Sequence, residues 1–107
     1  MEQNKNESII KNYSFFKNMC DKPFVECIYV FGSRARQDNV ERSDIDLAVD
    51  CPQASAKEWQ EIISIVENAD TLLHIDCVRY DTLKPDNFLK QLIDKDKILL
   101  YRKKNGA

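Results

Sequence analysis

Residues 44–50, Asp-Ile-Asp-Leu-Ala-Val-Asp, follow a strict period of two. That period belongs to a β-strand, so Ile45, Leu47 and Val49 must share one face while Asp44, Asp46 and Ala48 share the other. A strand built this way needs neighbours to pair its backbone and an apolar layer to cover its aliphatic face. The rest of the chain has to supply both.

It contains the parts to do so. Phe24–Phe31 is rich in Val, Ile and aromatic residues and reads as a strand ending at Gly32. His74–Tyr80 and Lys97–Tyr101 read as two more. Between them lie helical patterns. Ile9, Tyr13 and Phe16, with Ile10 beside them, predict an N-terminal helix. Ser55 and Glu58 have capping-box spacing, and Trp59, Ile62, Ile63 and Val66 follow at i, i+3, i+4, i+7, with Trp59 a core residue. Pro85 suits the first turn of a last helix that carries Phe88, Leu89, Leu92 and Ile93 inward. The order predicts one α+β domain over residues 1–107. Its mixed sheet has about four strands, its helices lie largely on one face, and its carboxylates are exposed at the other side.

Composition removes several classes of function. Sixteen Lys and Arg against 18 Asp and Glu give a net charge of −2, which suggests no globally basic nucleic-acid binder. Arg102–Lys104 reads as a solvated terminus. No apolar run approaches the ~18 residues that span a bilayer, and residues 1–10 lack the basic-then-apolar pattern of a secretory signal. Cys20, Cys27, Cys51 and Cys77 form no CxxC pair, and with one histidine a zinc site is not expected. Free cysteines, with Cys27 and Cys77 as buried thiols in apolar runs, fit a reducing cytoplasm.

Two short features carry chemistry. Gly32-Ser33 closes the first strand; glycine permits a sharp bend, and the exposed N–H groups with the Ser33 hydroxyl suit phosphate oxygens. After ten intervening residues Asp44 and Asp46 put two carboxylates on one strand face, roughly 6–7 Å apart at Cβ from the strand rise. Paired carboxylates repel, and aspartate is depleted in strands, so a site for a hard cation such as Mg²⁺ explains them better than a solvated face. Asp76 sits in the middle of the third predicted strand, where core packing has no use for it. If that strand lies beside residues 44–50, Asp76 joins the same face, and three carboxylates can hold two Mg²⁺ ions for in-line displacement at phosphorus. His74 could share that face, although a packed or solvent-bridged histidine is the simpler reading.

The run GSRARQDNVERSDIDLAVD followed by HIDCV resembles the nucleotidyltransferase superfamily that includes DNA polymerase beta and the aminoglycoside nucleotidyltransferases. It looks most like the minimal nucleotidyltransferases, the MntA-like antitoxins of HEPN–MNT toxin–antitoxin pairs, over nearly the whole chain. The resemblance implies that Gly32 and Ser33 bind nucleotide phosphates and that Asp44, Asp46 and Asp76 ligate Mg²⁺. It also implies that Arg36 reaches a phosphate, whereas Arg34 stands evenly between that role and a solvated surface. The chain departs at Gln37, where a glycine usually follows GSRAR. If glycine is needed there for a positive φ, Gln37 costs roughly 1 kcal/mol of backbone strain or changes the loop, and with the carboxylates intact the expectation is an altered loop shape rather than a dead enzyme.

The expected activity is transfer of AMP from ATP to a partner protein, a HEPN-type helical toxin modified on tyrosine. Two alternatives stay open: the catalytic subunit of a two-chain transferase acting on a small molecule with a separate substrate-binding subunit, and an antitoxin that acts by occlusion. No acceptor-binding domain is visible after the last strand. A hetero-oligomer is therefore expected, with no membrane or direct nucleic-acid partner.

Overall fold

The computed structural model describes residues 5–104. The ends of the expected single domain, residues 1–4 and 105–107, lie outside the described residues, as do the first four positions of the segment judged for a secretory signal.

Four strands form one mixed sheet. β1 (Cys27–Phe31) and β2 (Ile45–Asp50) are antiparallel neighbours, β3 (Ile75–Arg79) runs parallel to β2 on one edge, and β4 (Ile98–Arg102) pairs antiparallel with β1 on the other. The long connection from β2 to β3 is what a parallel pair demands. It carries helix α4 (Ala56–Glu67), capped as the sequence predicts: Ser55 accepts from the Glu58 N–H and Glu58 accepts from the Ser55 N–H.

The alternation in residues 44–50 sets the two faces. Ile45, Leu47 and Val49 are completely buried, alongside Ile28 and Val30 of β1. Helices α1 (Lys5–Lys11), α2 (Ser14–Cys20), the short α3 (Ser33–Arg36) and α4 cover them with Ile10, Phe15, Phe16, Met19, Ala35 and Ile62. Each of these side chains larger than Ala35 contributes on the order of 2 kcal/mol through burial. Trp59 is half-buried against this core, with the Arg79 guanidinium 6.0 Å from its ring centre. Ala48 points the other way and is equally buried, as is Ile93 of α5 (Phe88–Asp96), and neither belongs to the main core. On that second face Tyr29 lies 5.7 Å from Tyr80, and Lys90 and Lys97 reach Asp94 at 2.9 and 2.7 Å. Helix α5 is thus the exception to the predicted one-sided layer.

Several local expectations change. The N-terminal helix is two helices, because Tyr13 adopts an extended conformation between them. The break turns Ile9 outward while Ile10 stays inside. Pro85 lies in a turn rather than in α5. Asn87 is the N-cap, its Oδ1 accepting from the Leu89 and Lys90 N–H groups at 2.8 and 3.2 Å. Starting the helix there sends Phe88 (73% exposed) and Leu92 (44%) into solvent and leaves Ile93 as the buried anchor. The basic tail is not simply solvated: Arg102 ends β4, and Lys103 donates to the carbonyl of Pro23 at 2.6 Å. All four cysteines are free. Cys51, not Cys27 or Cys77, is the fully buried one, although burial also pushes the Cys77 thiol up to about 12. No described helix is long and apolar enough to cross a membrane.

Candidate functional site

At the end of β1 the chain must turn sharply before entering the sheet again. Gly32 does this at φ 72°, ψ −153°, in the region open to glycine because it lacks a Cβ. Its carbonyl accepts from the Ala35 and Arg36 N–H groups, which starts α3 at Ser33. The register then fixes what stands beside it. Phe31 pairs with Asp46 across the antiparallel β1–β2 ladder, so the Asp46 side chain rises next to the bend. A Cβ placed on Gly32 would lie 2.5 Å from Asp46 Oδ2.

The parallel β2–β3 ladder completes the group. Asp46 is the register partner of Asp76, and Ile45 donates its N–H to the His74 carbonyl at 2.9 Å. Residues aligned in this way project to the same side of the sheet. Asp44, Asp76 and His74 each offer a ligand atom, all within 4.8 Å of one another, and all three are exposed. His74 Nε2 donates to Asp76 Oδ1 at 2.9 Å. This hydrogen bond, followed by the Asp76 charge, raises the His74 pKa. His74 therefore contacts Asp76 directly rather than packing in the core; its place two residues before Asp76, just ahead of β3, was the signal.

Crowding acids at a strand end has an electrostatic cost. Partial burial, then the charge and hydrogen bonding of Asp76 and the charge of Asp44, push the Asp46 carboxyl up to about 6. Like charges held together in this way are relieved by a cation. Two or three carboxylate oxygens with a histidine beside them form a donor set that suits a divalent ion such as Mg²⁺ better than a soft metal. The residues present fit such an ion.

Two further residues shape the approach to the site. Arg34 is only 3% exposed. Its guanidinium donates to the Ser43 carbonyl from Nε and Nη2 at 3.2 and 2.9 Å, to the Glu41 carbonyl at 3.0 Å and to Asn6 Oδ1 at 2.8 Å. It is no solvated surface residue but an internal tie that holds residues 41–43, the lead into Asp44. The polar loop in residues 37–43 was the available clue, because its inward carbonyls need a donor from somewhere. Arg36, in contrast, is exposed and paired with Asp38 and Asp96, at 3.0 Å each. Gln37 caps α3 at φ 64°, ψ 28°, so it takes up the left-handed conformation itself.

An open cleft of about 820 Å³ adjoins the acidic group. Asp44 and His74 form part of its wall, with Ile9, Tyr13, Leu72 and Leu73 supplying apolar surface.

Known proteins share this architecture. The solved structures that resemble the chain include a toxin–antitoxin complex with AMP-PNP, at 24% identity and a TM-score of 0.57 over 94% of this chain and 75% of that one. Another is a complex of tri-AMPylated Shewanella oneidensis HEPN toxin with MNT antitoxin, at 21% identity and 0.52 over 92% and 71%. A third is the toxin–antitoxin pair MntA–HepT, at 22% and 0.51 over 94% and 74%. At these identities the likeness is one of fold. No curated protein matches the sequence. The family described as Polymerase beta, Nucleotidyltransferase matches residues 14–105, a span that includes the Gly32 bend and all three aspartates. The chain is a nucleotidyltransferase of the polymerase beta family.

Proposed function

We propose that this chain is a minimal nucleotidyltransferase of the antitoxin type, which transfers AMP from ATP to a tyrosine hydroxyl of a HEPN-type helical toxin. One observation carries the chemistry: Asp44, Asp46 and Asp76 converge at one sheet end beside the Gly32–Ser33 bend. The AMP-PNP in one structural relative and the AMP groups on the toxin in another support ATP as donor and a protein as acceptor.

In this reading Asp44, Asp46 and Asp76 hold Mg²⁺, in one or two sites. An ion held there would neutralise phosphate charge and would lower the pKa of the attacking hydroxyl. The Gly32–Ser33 bend turns its N–H groups and the Ser33 hydroxyl toward the triphosphate. Arg36 leaves its exposed pairs with Asp38 and Asp96 for a phosphate oxygen, an exchange made easy because exposed ion pairs are worth only ~0–1 kcal/mol. The tyrosine oxygen bonds to the α-phosphorus as the bond to the bridging oxygen breaks. Pyrophosphate departs with that electron pair, and the hydroxyl proton passes to solvent through the carboxylate cluster.

The test is incubation with α-labelled ATP, MgCl₂ and the protein encoded beside this chain in its genome. Label should appear on that partner and survive denaturation. An Asp44→Ala, Asp46→Ala double variant should give no label; equal labelling would refute the assignment of the carboxylates. Protection of cells by the double variant would favour occlusion over catalysis.

A further inference from the structure

Resting on the transferase reading above, which puts a divalent ion among the three aspartates, we infer that His74 is a direct nitrogen ligand of that ion and turns the site from Mg²⁺ toward Mn²⁺. Among the described residues, the trio able to close on one ion is Asp44, His74 and Asp76, each with a donor atom within 4.8 Å of the others. Asp46 stands outside that trio, with its Oδ2 lying against the Gly32 bend. One of the three donors is thus an imidazole.

The spacing suits an ion. Octahedral coordination at about 2.1 Å sets neighbouring ligand atoms about 3 Å apart and opposite ones about 4.2 Å apart. His74 Nε2 and Asp76 Oδ1 are 2.9 Å apart, the separation of two neighbouring ligands. A trio confined within 4.8 Å reaches the wider value by movements of about half an ångström, which exposed side chains make freely. The backbone holds the donors in register. Ile45 pairs with Ile75 and donates its N–H to the His74 carbonyl, so Asp44 and His74 stand side by side at the mouth of the β2–β3 ladder.

Packing does not ask for a histidine here. It is the one histidine of the chain, and its side chain is 67% exposed. Its hydrogen bond to Asp76 is open to water, which competes for both partners, so the bond holds little by itself. The neutral ring with its proton on Nδ1 instead presents the Nε2 lone pair to a metal. Nitrogen is a discriminating ligand. Mg²⁺ takes oxygen donors and keeps its waters, whereas imidazole suits divalent transition metals, whose affinities rise along the series that begins at Mn²⁺. The two carboxylates accept either ion; the imidazole favours Mn²⁺.

The test uses the whole chain at pH 8 with Mn²⁺ alone, since the nitrogens of a nucleotide would mask those of the protein. Electron spin-echo spectroscopy of the bound Mn²⁺ should show modulation from a directly bound nitrogen nucleus, and His74→Gln should abolish it. In calorimetry His74→Gln should weaken Mn²⁺ by about fivefold or more and Mg²⁺ by less than about twofold. Failure of the unaltered chain to bind Mn²⁺, or bound Mn²⁺ without nitrogen modulation, would overturn the inference. So would modulation that survives in His74→Gln. Equal losses of both metals would make His74 a buttress for Asp76, and the ligand assignment would fall. If the nitrogen signal is present but the unaltered chain transfers no label from α-labelled ATP with either metal, the ligand stands and the transferase reading falls. If label is transferred and the nitrogen signal is missing, the reverse holds.

Discussion

Gly32 and Asp46 are packed so closely that a single methyl group on residue 32 would stand 2.5 Å from Oδ2 of the aspartate. The bend and the carboxylate are therefore one mechanical unit, although thirteen residues separate them. Gly32→Ala should do two things. Its φ of 72° forces an L-residue into a strained backbone region, which costs about 1–2 kcal/mol in urea denaturation. It also displaces the Asp46 carboxylate, and a misplacement near 1 Å costs about a hundredfold in transfer rate. A Gly32→Ala protein with full activity would show that the contact has no role in catalysis.

Asp46→Asn separates stability from function. The carboxyl titrates near 6 in the folded chain against an ordinary 3.8, so between those pH values the folded state holds a proton that the unfolded state releases. Stability without metal therefore falls as pH rises from about 4 to about 6, and the penalty is fully present above 6. Removing the charge should stabilise the metal-free protein at pH 7 by about 1–2 kcal/mol, once solvent screening of a half-buried group is allowed for. Below pH 4 the gain should vanish. Thermal melts across pH 4–8 measure this directly. The same variant should lose transfer and lose any rise in melting temperature with MgCl₂ and AMP-PNP.

Arg34 should matter to folding before it matters to chemistry. Truncation to alanine strips donors from the Ser43 and Glu41 carbonyls and from Asn6. Leaving such groups unpaired in a buried setting costs about 3 kcal/mol or more. Arg34→Lys restores the charge but not the fork geometry and should recover less than half of that. Matched denaturation curves would check both. A loss under 1 kcal/mol for alanine would mean that water replaces the guanidinium.

Gln37 offers a gain rather than a loss. Its φ of 64° is the conformation that glycine adopts without strain. Gln37→Gly relieves about 1–2 kcal/mol of backbone strain but adds about 0.4–1 kcal/mol of unfolded-state entropy. The net expectation is a protein more stable by about 0.5–1 kcal/mol, read as a higher denaturation midpoint at unchanged slope. Gln37→Val should move the midpoint the other way, since a β-branched residue fits the left-handed region worst.

Much of the molecule was written locally. The period of two in residues 44–50, the Ser55–Glu58 cap and the helical stripe through Ile62 each report an interaction that neighbours in sequence make among themselves, so strands, helix and paired carboxylates could be read from residue types. What the sequence could not settle was which way a pattern faced once its element was placed. Phe88 and Leu92 kept helical spacing yet turned outward when Asn87 took over the cap, and Ile9 did so when the chain broke at Tyr13. Arg34 stood evenly between a phosphate contact and a solvated surface until α1 and the loop before Asp44 closed around it. The meeting of Asp46 with Asp76 and with Gly32 is of that kind as well. It depends on one parallel and one antiparallel register, set by long-range pairing of backbones, and no local property of the three residues encodes it.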